Sequence, residues 1–237
     1  MVIAHNNEEN SEEALIDYVF PSLVENSSSG EYMTKHAILA TTNEYVDKIN
    51  EKMISTFPGE KKIFSSFNEA FDDTNHYYQE EFLNTLLPNG LPPHNLELKV
   101  NCPIMLLRNL DLANGLCNGT RMVCRSFCKN VIYAEITMGQ HAEKQVFLPR
   151  ISLSPPENEG YPFQFKRKQF PVRLCFAMTI NKAEGQTIPN VGVYLPQNIF
   201  SHGQLYVALP RGVSMATTKV LIKSDKSVRM QETYTKM

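Results

Sequence analysis

The chain has 237 residues, of which 42% are hydrophobic and 20% charged, and this composition excludes a wholly disordered protein. No apolar run approaches the ~20 residues of a membrane-spanning helix, and residues 1–10 lack a signal-peptide pattern, so we expect no membrane partner and a cytoplasmic or nuclear location. Five unevenly spaced cysteines argue against a disulfide framework.

The net charge of -2 conceals a strong asymmetry along the chain. Residues 1–160 carry 12 Lys and Arg against 22 Asp and Glu, whereas residues 161–237 carry 11 against 3. A basic final third indicates either an anionic partner, such as phosphate or nucleic acid, or an internal contact with the acidic part. Charge alone leaves these two interpretations equal.

The acidic N-terminal segment, residues 1–34, has seven acids and no Lys or Arg, and we expect it to be partly disordered. Within it, residues 12–19 predict a short amphipathic helix with Ser11 as its cap. The apolar run at residues 37–40 predicts a buried strand, and Asn43 is a favourable N-cap for the helix that follows.

Residues 57–94 are poorly patterned apart from one predicted helix at 80–87. From residue 98 to 153 the pattern changes to short strands separated by Asn-Gly pairs and similar turn residues. These spacings predict a small antiparallel barrel or meander. Its predicted strands are residues 103–107, 120–127, 131–138 and 145–148.

The last part of the chain returns to alternating strands and helices. Strands are predicted at residues 172–177, 191–195 and 219–222, and helical turns at 180–187 and 203–209. Such alternation is typical of a parallel sheet covered by helices. We therefore predict one parallel sheet built from about 35–57 and 165–223, interrupted by an all-β insertion.

Polar residues directly follow a predicted buried strand at residue 177. In open α/β sheets ligands bind at the carboxyl ends of strands, so Thr179, Asn181, Lys182 and Gln186 are placed to meet one. Lys182 is a point charge suited to phosphate. An ordinary strand-to-helix turn with solvent-facing side chains is the simpler alternative, and this segment alone does not exclude it.

A second segment, residues 202–212, predicts a helix with one apolar face that Pro210 ends. Arg211 then projects at the helix end, where a guanidinium reaches a phosphate across a domain boundary in arginine-finger enzymes. The alternative is a surface arginine stabilised by the helix dipole.

Several other chemistries are excluded by spacing. The cysteines Cys102, Cys117, Cys124 and Cys128 lack two matched close pairs, so we expect no zinc site and no other metal. Neither a His-Glu-x-x-His motif nor a Gly-x-Ser-x-Gly motif occurs. The phosphate loop Gly-x-x-x-x-Gly-Lys-Ser/Thr is also absent, so we expect poor binding of nucleoside triphosphates by this chain alone.

The sequence from about residue 32 to 222 resembles the C-terminal half of the PIF (petite integration frequency) family of superfamily 1B DNA helicases, especially its helitron-associated branch. The similarity runs through a series of stretches in the family's order. These stretches are residues 36–50, 106–111, 115–121, 147–151, 165–172, 179–187 and 202–211.

The resemblance implies a RecA-like fold of the P-loop NTPase type, namely a second motor domain interrupted by a small SH3-like insertion. It implies that residues 35–98 begin this domain, that 99–153 form the insertion and that 154–223 complete the domain. Residues 1–34 and 224–237 are then the acidic segment and a C-terminal tail.

The family's motif IV corresponds to the turn after residue 40, and its motif V to residues 179–187. The resemblance implies that Thr42, Asn43, Thr179, Asn181 and Lys182 face the backbone of single-stranded DNA.

Motif V also couples DNA contacts to the nucleotide phosphates, which implies this role for Lys182, Gly185 and Gln186. Motif VI ends at Arg211, which matches the arginine finger. Family enzymes use ATP and Mg²⁺ to move 5′ to 3′ along single-stranded DNA. The resemblance also implies a nuclear location with roles in DNA repair and recombination.

The chain departs from the family in three respects. It contains no first motor domain, Glu184 replaces the usual Gln, and Pro210 replaces the usual Ser before Arg211. We therefore expect a fragment of a 5′-to-3′ ATP-dependent DNA helicase that is inactive alone, needs no cofactor by itself, binds single-stranded DNA weakly, and has a separate first motor domain as a possible partner. The alternative is a non-catalytic module for single-stranded DNA or protein binding.

Overall fold

A computed structural model describes residues 2–3, 8–71, 78–156, 161, 163–196, 207–214 and 216–222. Its helices are α1 (Glu8–Val19), α2 (Gly30–Lys35), α3 (Asn43–Thr56) and α4 (Glu80–Thr85). Short 3₁₀ turns occur at Leu112–Asn114, Ile180–Ala183 and Leu209–Arg211.

The strands in the first part of the chain are β1 (Val2–Ile3), β2 (His36–Ala40), β3 (Lys62–Ser65), β4 (Phe67–Phe71), β5 (Asn95–Leu98), β6 (Pro103–Leu106), β7 (Arg121–Phe127) and β8 (Val131–Ile136). Those in the rest are β9 (Gln145–Pro149), β10 (Ile151–Leu153), β11 (Gln164–Gln169), β12 (Val172–Leu174), β13 (Ala177–Thr179), β14 (Asn190–Leu195) and β15 (Thr218–Ile222).

The chain divides into two compact units. The α/β unit comprises Met1–Pro21, Ala37–Val46 and Met178–Met237, and the β-rich unit comprises Ser22–His36 and Asp47–Ala177. These units are spatial groupings, so the predicted boundaries of the motor domain and its insertion stay a prediction.

The α/β unit is organised by a five-stranded sheet with the strand order β1-β15-β14-β2-β13. Strand β15 pairs in parallel with both β1 and β14. Helix α1 contacts β14 and β15, and a Cβ on Gly192 would lie only 2.6 Å from a Val19 methyl group. The prediction that strands from both sides of the insertion join one sheet is confirmed, because β2 lies between β14 and β13.

The start of α1 differs from the prediction. The helix begins at Glu8 rather than near residue 12, so Ser11 lies inside it and does not cap it. Ser11 is buried, as are Leu15 and Val19 four and eight residues on. The buried stripe therefore starts one turn before the apolar residues that the sequence pattern detected.

The β-rich unit contains the predicted strands of the insertion as an antiparallel sheet, β12-β6-β7-β8-β9. Strands β7 and β8 keep register from Met122 opposite Ile136 to Phe127 opposite Ile132, with an irregularity between Cys124 and Ser126. Two further sheets, β10-β11-β4 and β3-β5, complete the unit. The small antiparallel arrangement predicted for residues 98–153 is thus present.

The predicted strand at residues 172–177 is wrong as one element. Strand β12 pairs antiparallel with β6 in the β-rich unit, whereas β13 belongs to the parallel sheet. The break lies at Cys175, whose N–H donates to the Pro103 carbonyl (2.9 Å), and at Phe176, whose ring packs on Phe57. A continuous apolar run hides such a change of sheet, because both environments bury it.

Three buried cations cap helix ends in the β-rich unit. Arg121 donates to the carbonyls of Met33, Thr34 and His36 at the end of α2. Lys99 donates to the carbonyls of Ser55 and Phe57 at the end of α3. Arg167 donates to the carbonyls of Leu83 and Leu86 around the end of α4. Each cation donates to carbonyl groups at or just beyond the end of a helix, where the regular backbone hydrogen bonds of the helix stop.

Candidate functional site

The residues predicted to face DNA lie at the carboxyl ends of two strands that are neighbours in the sheet. Thr42 follows β2 by two residues, and Thr179 is the last residue of β13. The Thr42 carbonyl accepts from the Val46 N–H (3.2 Å) in the first turn of α3. Asn43 is therefore the first residue of α3 rather than its cap. Strand ends of this kind are where open α/β sheets bind ligands.

The turn after β13 is anchored by its apolar side chains. Ile180 and Ala183 are buried within the 3₁₀ turn Ile180–Ala183, whereas Asn181 and Lys182 are exposed. Thr179 precedes the turn, and its side chain makes no capping hydrogen bond. Asn181 and Lys182 are consequently displayed to solvent from a fixed backbone.

Gly185 and Gln186 close this turn. Gly185 has φ +76°, a left-handed conformation that other residues rarely adopt. The Gln186 N–H donates to the Ala183 carbonyl (3.0 Å), and its Nε2 donates to the Lys182 carbonyl (3.2 Å). Gln186 thus holds the backbone of Lys182 in place, while Glu184 between them is exposed.

Arg211 is joined to this segment through the backbone. The Ile188 N–H donates to the Arg211 carbonyl (2.8 Å), and Ile188 forms a parallel bridge with Gly212. The Arg211 Nε donates to the Val207 carbonyl (2.9 Å). Within the described residues the terminal nitrogens of the Arg211 guanidinium have no hydrogen-bond partner. The backbones of two predicted segments that are far apart in sequence therefore meet.

The described α-helical residues end at Ala208, just before Pro210 and close to the predicted end of the helix. Residues 207–208 are helical and continue into the 3₁₀ turn Leu209–Arg211, which contains Pro210. Proline is tolerated in the first turn of a helix, where its missing N–H has no intrahelical acceptor. The remainder of the predicted helix at 203–209, residues 203–206, lies outside the described residues.

Two residues that support the site were not found from the sequence. A Cβ on Gly212 would lie 2.1 Å from the Thr218 Oγ1, so only glycine fits between Arg211 and β15. Buried Asn50 on α3 accepts from the Ala177 N–H (2.9 Å) and donates to the Leu174 and Ala177 carbonyls, which fixes the entry to β13. A polar residue among the apolar positions of α3 was the available signal for Asn50.

The described residues contain no group of three or more His, Cys, Asp or Glu side chains able to hold a metal ion. None of the helices in the described part of the chain is long and apolar enough to cross a membrane.

Comparison with known proteins gives consistent similarities. The family model for the DNA helicase Pif1, 2B domain, matches residues 81–127. The ATP-dependent DNA helicase PIF1 of Homo sapiens is 28% identical over 192 residues, which are 81% of this chain and 28% of that protein. PIF1 of Rattus norvegicus is 30% identical over 189 residues, which are 77% of this chain and 27% of that protein. The chain therefore spans less than a third of these curated relatives.

Solved structures share the fold. Pif1 helicase from Candida albicans superposes with a TM-score of 0.62 at 22% identity, covering 90% of this chain and 52% of that one. Pif1 helicase from Bacteroides, in complex with ADP-AlF3 and ssDNA, superposes with a TM-score of 0.60 at 21% identity, covering 90% and 45%. The predicted RecA-like α/β fold is confirmed by these likenesses.

Proposed function

Because the chain belongs, over most of its length, to the C-terminal part of the PIF1 family of DNA helicases, we propose that it supplies the second-motor-domain side of an ATP-dependent 5′-to-3′ DNA helicase. In this proposal Thr42 and Asn43 form motif IV, residues 179–187 form motif V, and Arg211 ends motif VI. The backbone hydrogen bond between Ile188 and Arg211 carries the proposal, because it joins a DNA-facing turn to a phosphate-facing arginine.

The DNA side of the proposal rests on Thr179, Asn181 and Lys182. Lys182 is an exposed cation on an anchored turn, and such a group neutralises a phosphate without reading the base. Contacts of this kind give weak, salt-dependent binding that does not depend on sequence.

The nucleotide side rests on Arg211, with Lys182, Gly185 and Gln186 coupling it to DNA. ATP and Mg²⁺ would supply the hydrolysis that drives movement in an assembled enzyme. The guanidinium of Arg211 fits the charge of a transferred phosphoryl group, whereas the described residues offer no acidic cluster for Mg²⁺. A first motor domain would have to supply the phosphate loop and the metal-binding acid.

In this proposal a few hydrogen bonds connect the DNA-facing turn to Arg211. Gln186 holds the Lys182 carbonyl, and Ile188, two residues further on, holds the Arg211 carbonyl. A shift of the DNA-facing turn therefore moves the backbone that positions the guanidinium. Family membership also favours nuclear DNA repair and recombination as the setting for this activity.

Lys182→Ala tests the DNA side. We expect affinity for single-stranded DNA, measured by fluorescence anisotropy, to fall by a similar factor for every sequence. The slope of log affinity against log salt should decrease in magnitude by about 0.7 for one lost phosphate contact on a single strand. Glu184→Gln should have the opposite effect, because it removes a like charge near the DNA backbone.

Lys35→Ala is the matched control, since Lys35 is an exposed lysine paired with Glu31 on α2. An unchanged affinity and salt slope for Lys182→Ala would show that Lys182 is only a solvated surface residue, and the DNA-binding role of the turn would be abandoned.

The chain alone should show no DNA-stimulated ATP hydrolysis. The reason is that the sequence contains no phosphate loop. A coupled-enzyme assay with single-stranded DNA, compared with a buffer blank, measures this. Turnover above the blank that disappears in Arg211→Ala would contradict the prediction.

A non-catalytic role in binding single-stranded DNA or a protein is the second candidate. It is favoured by the 11 Lys and Arg against 3 Asp and Glu after residue 160. The two forms of this role differ in salt dependence, because DNA binding releases counterions and weakens steeply as salt rises.

A further inference from the structure

A group of aromatic and acidic side chains lies around helix α4 on the β-rich unit. We define the acidic–aromatic surface as Tyr78, Glu80, Glu81, Phe82 and Phe163. Both glutamates are exposed, Tyr78 and Phe163 are half-buried, and Phe82 is 46% exposed. Apolar side chains that share one exposed patch, with polar residues at its border, are typical of a place where another protein binds.

The rings of this surface contact one another. The ring centres of Tyr78 and Phe163 lie 4.0 Å apart, and those of Tyr78 and Phe82 lie 6.0 Å apart in a stacked arrangement. The Phe82 and Phe163 centres are 6.3 Å apart. Tyr161 extends the group, with its ring centre 5.9 Å from that of Phe163. The rings therefore form one aromatic surface instead of several isolated apolar side chains.

Packing from below holds these rings in place. A small buried cluster lies under them and comprises Leu83, Leu91, Leu153 and Phe165. Tyr78 and Phe163 pack against this cluster. Leu83 is the buried residue of α4, so the helix turns Leu83 inward and leaves the neighbouring Phe82 at the surface. Rings fixed in this way have little side-chain entropy left to lose when a partner binds.

The part of the sequence that carries α4 is acidic. Residues 63–98 contain six Asp and Glu and no Lys or Arg, in contrast to the basic residues after 160. Glu80 and Glu81 occupy the first turn of α4, directly before Phe82. A surface with this charge attracts cations and repels phosphate groups. Charge complementarity therefore indicates a basic partner and argues against a nucleic acid here.

The two cations of the adjoining strand β11 are directed to other groups. Lys166 lies opposite Glu69 on β4, and its Nζ lies 4.0 Å from the centre of the Phe71 ring. Arg167 is fully buried and donates to the carbonyls of Leu83 and Leu86. These contacts use both cations away from the exposed carboxylates of the acidic–aromatic surface.

Arginine is the residue that suits both features of this surface. Its planar guanidinium stacks on aromatic faces and pairs with carboxylates, whereas the lysine ammonium has no planar group to stack. We propose that the acidic–aromatic surface docks an arginine-rich segment of a partner protein, with guanidinium groups over the rings of Tyr78 and Phe82 and beside Glu80 and Glu81. The surface shares no residue with the proposed motifs, and the proposal does not depend on them.

Fluorescence anisotropy of a fluorescein-labelled peptide of alternating Arg and Gly, titrated with the full chain at low salt, tests the proposal. We expect saturable binding. The same peptide with Lys in place of Arg should bind at least about 2-fold more weakly, because the stacking contribution is lost. A peptide with Pro in place of Arg should not bind. Absence of binding by the Arg peptide, equal affinity for the Lys peptide, or binding of the Pro peptide would overturn the proposal.

Aromatic variants locate the binding site. Phe82→Ala should weaken binding of the Arg peptide about 2- to 5-fold, the range of an exposed cation–π contact. Phe82→Leu should also weaken it, because leucine keeps the apolar bulk but has no ring. Phe147→Ala is the matched control, since Phe147 is 69% exposed on β9 outside this surface. Unchanged affinity in both Phe82 variants, or an equal loss in Phe147→Ala, would contradict the assigned site.

Charge variants provide the second localisation. Replacing Glu80 and Glu81 together by Gln should weaken binding about 2-fold or more, and this difference from the wild type should shrink as salt rises. The matched control replaces Glu51 and Glu60 by Gln, because both are exposed glutamates of the β-rich unit outside this surface. Equal losses in the two double variants would show attraction by net charge alone, and docking at the acidic–aromatic surface would be abandoned.

Discussion

Replacing Arg167 by alanine will lower the free energy of unfolding by about 2–6 kcal/mol, because the carbonyls of Pro92 and Leu86 lose their donor at about 1–3 kcal/mol each. Arg167 is fully buried. Its guanidinium donates to the Asn68 Oδ1 (2.8 Å) and to the carbonyls of Pro92 (3.0 Å), Leu83 (3.2 Å) and Leu86 (3.1 Å). Burial lowers the pKa of Arg167 to about 10, so the side chain is still a cation at neutral pH.

Urea denaturation followed by far-ultraviolet circular dichroism measures this effect. Lys168→Ala is the matched control, because it removes the same charge from the next residue of β11, whose side chain faces solvent. Arg167→Lys should give an intermediate loss, since one ammonium cannot reach all four acceptors. A midpoint for Arg167→Ala equal to that of Lys168→Ala would contradict the capping role of Arg167.

Gly212→Ala should destabilise the α/β unit by about 1–3 kcal/mol, the usual cost of an added methyl group in a tightly packed place. The new Cβ would lie 2.1 Å from the Thr218 Oγ1, an atom that also donates to the Ser214 carbonyl (2.9 Å). Because threonine is stiff at χ1, the hydroxyl cannot turn away without losing this hydrogen bond. Thermal denaturation of Gly212→Ala, of Thr218→Ala and of the double variant measures the coupling between the two positions.

Thr218→Ala is the second single variant of this double-mutant cycle. Alone it should cost about 1 kcal/mol through the lost hydrogen bond. In its presence Gly212→Ala should become nearly neutral, because the clashing oxygen is gone. Additive penalties in the double variant would mean that the contact between residues 212 and 218 is not the cause.

The sequence predicted those elements whose buried residues recur at a regular spacing. Strands β7, β8 and β9 alternate or bury whole faces, and turn residues such as Asn118-Gly119, Asn130 and Gly139 separate them from their neighbours, so their positions were predictable. Strand β4 was missed because none of its residues is buried and no period could appear. Strand β3 was missed because only Phe64 is buried.

Charge was harder to interpret than hydrophobic pattern. The run Lys166-Arg167-Lys168 contributes to the basic balance after residue 160, yet the alternation of β11 turns its middle residue inward. Part of the charge that suggested an anionic partner is therefore used to cap α4. Only the strand assignment of residues 164–169 reveals this, and the adjacent proline-rich stretch obscured it.

The candidate site was predicted as a set of residues but not as an arrangement. The polar residues after β13 followed from their position at a strand end. Their link to Arg211 runs through the backbone of Ile188, and no side-chain pattern reports a backbone hydrogen bond. The roles of Thr42, Asn43, Thr179, Asn181 and Lys182 toward DNA stay predictions.

The helices of the β-rich unit can be capped only late in synthesis, because their three capping cations lie far downstream of them in the sequence. Arg121 lies 85 to 88 residues after the carbonyls that it caps at the end of α2, and Arg167 lies 75 to 84 residues after those it meets at Pro92 and Leu83. Helices of six residues are unstable alone in water. At about 5–20 residues per second, the ribosome needs roughly 4 to 17 seconds to deliver Arg121 once α2 has been made. During that interval the chain has to stay soluble with these helix ends uncapped, so the unit folds by long-range closure instead of growing from its N-terminal helices.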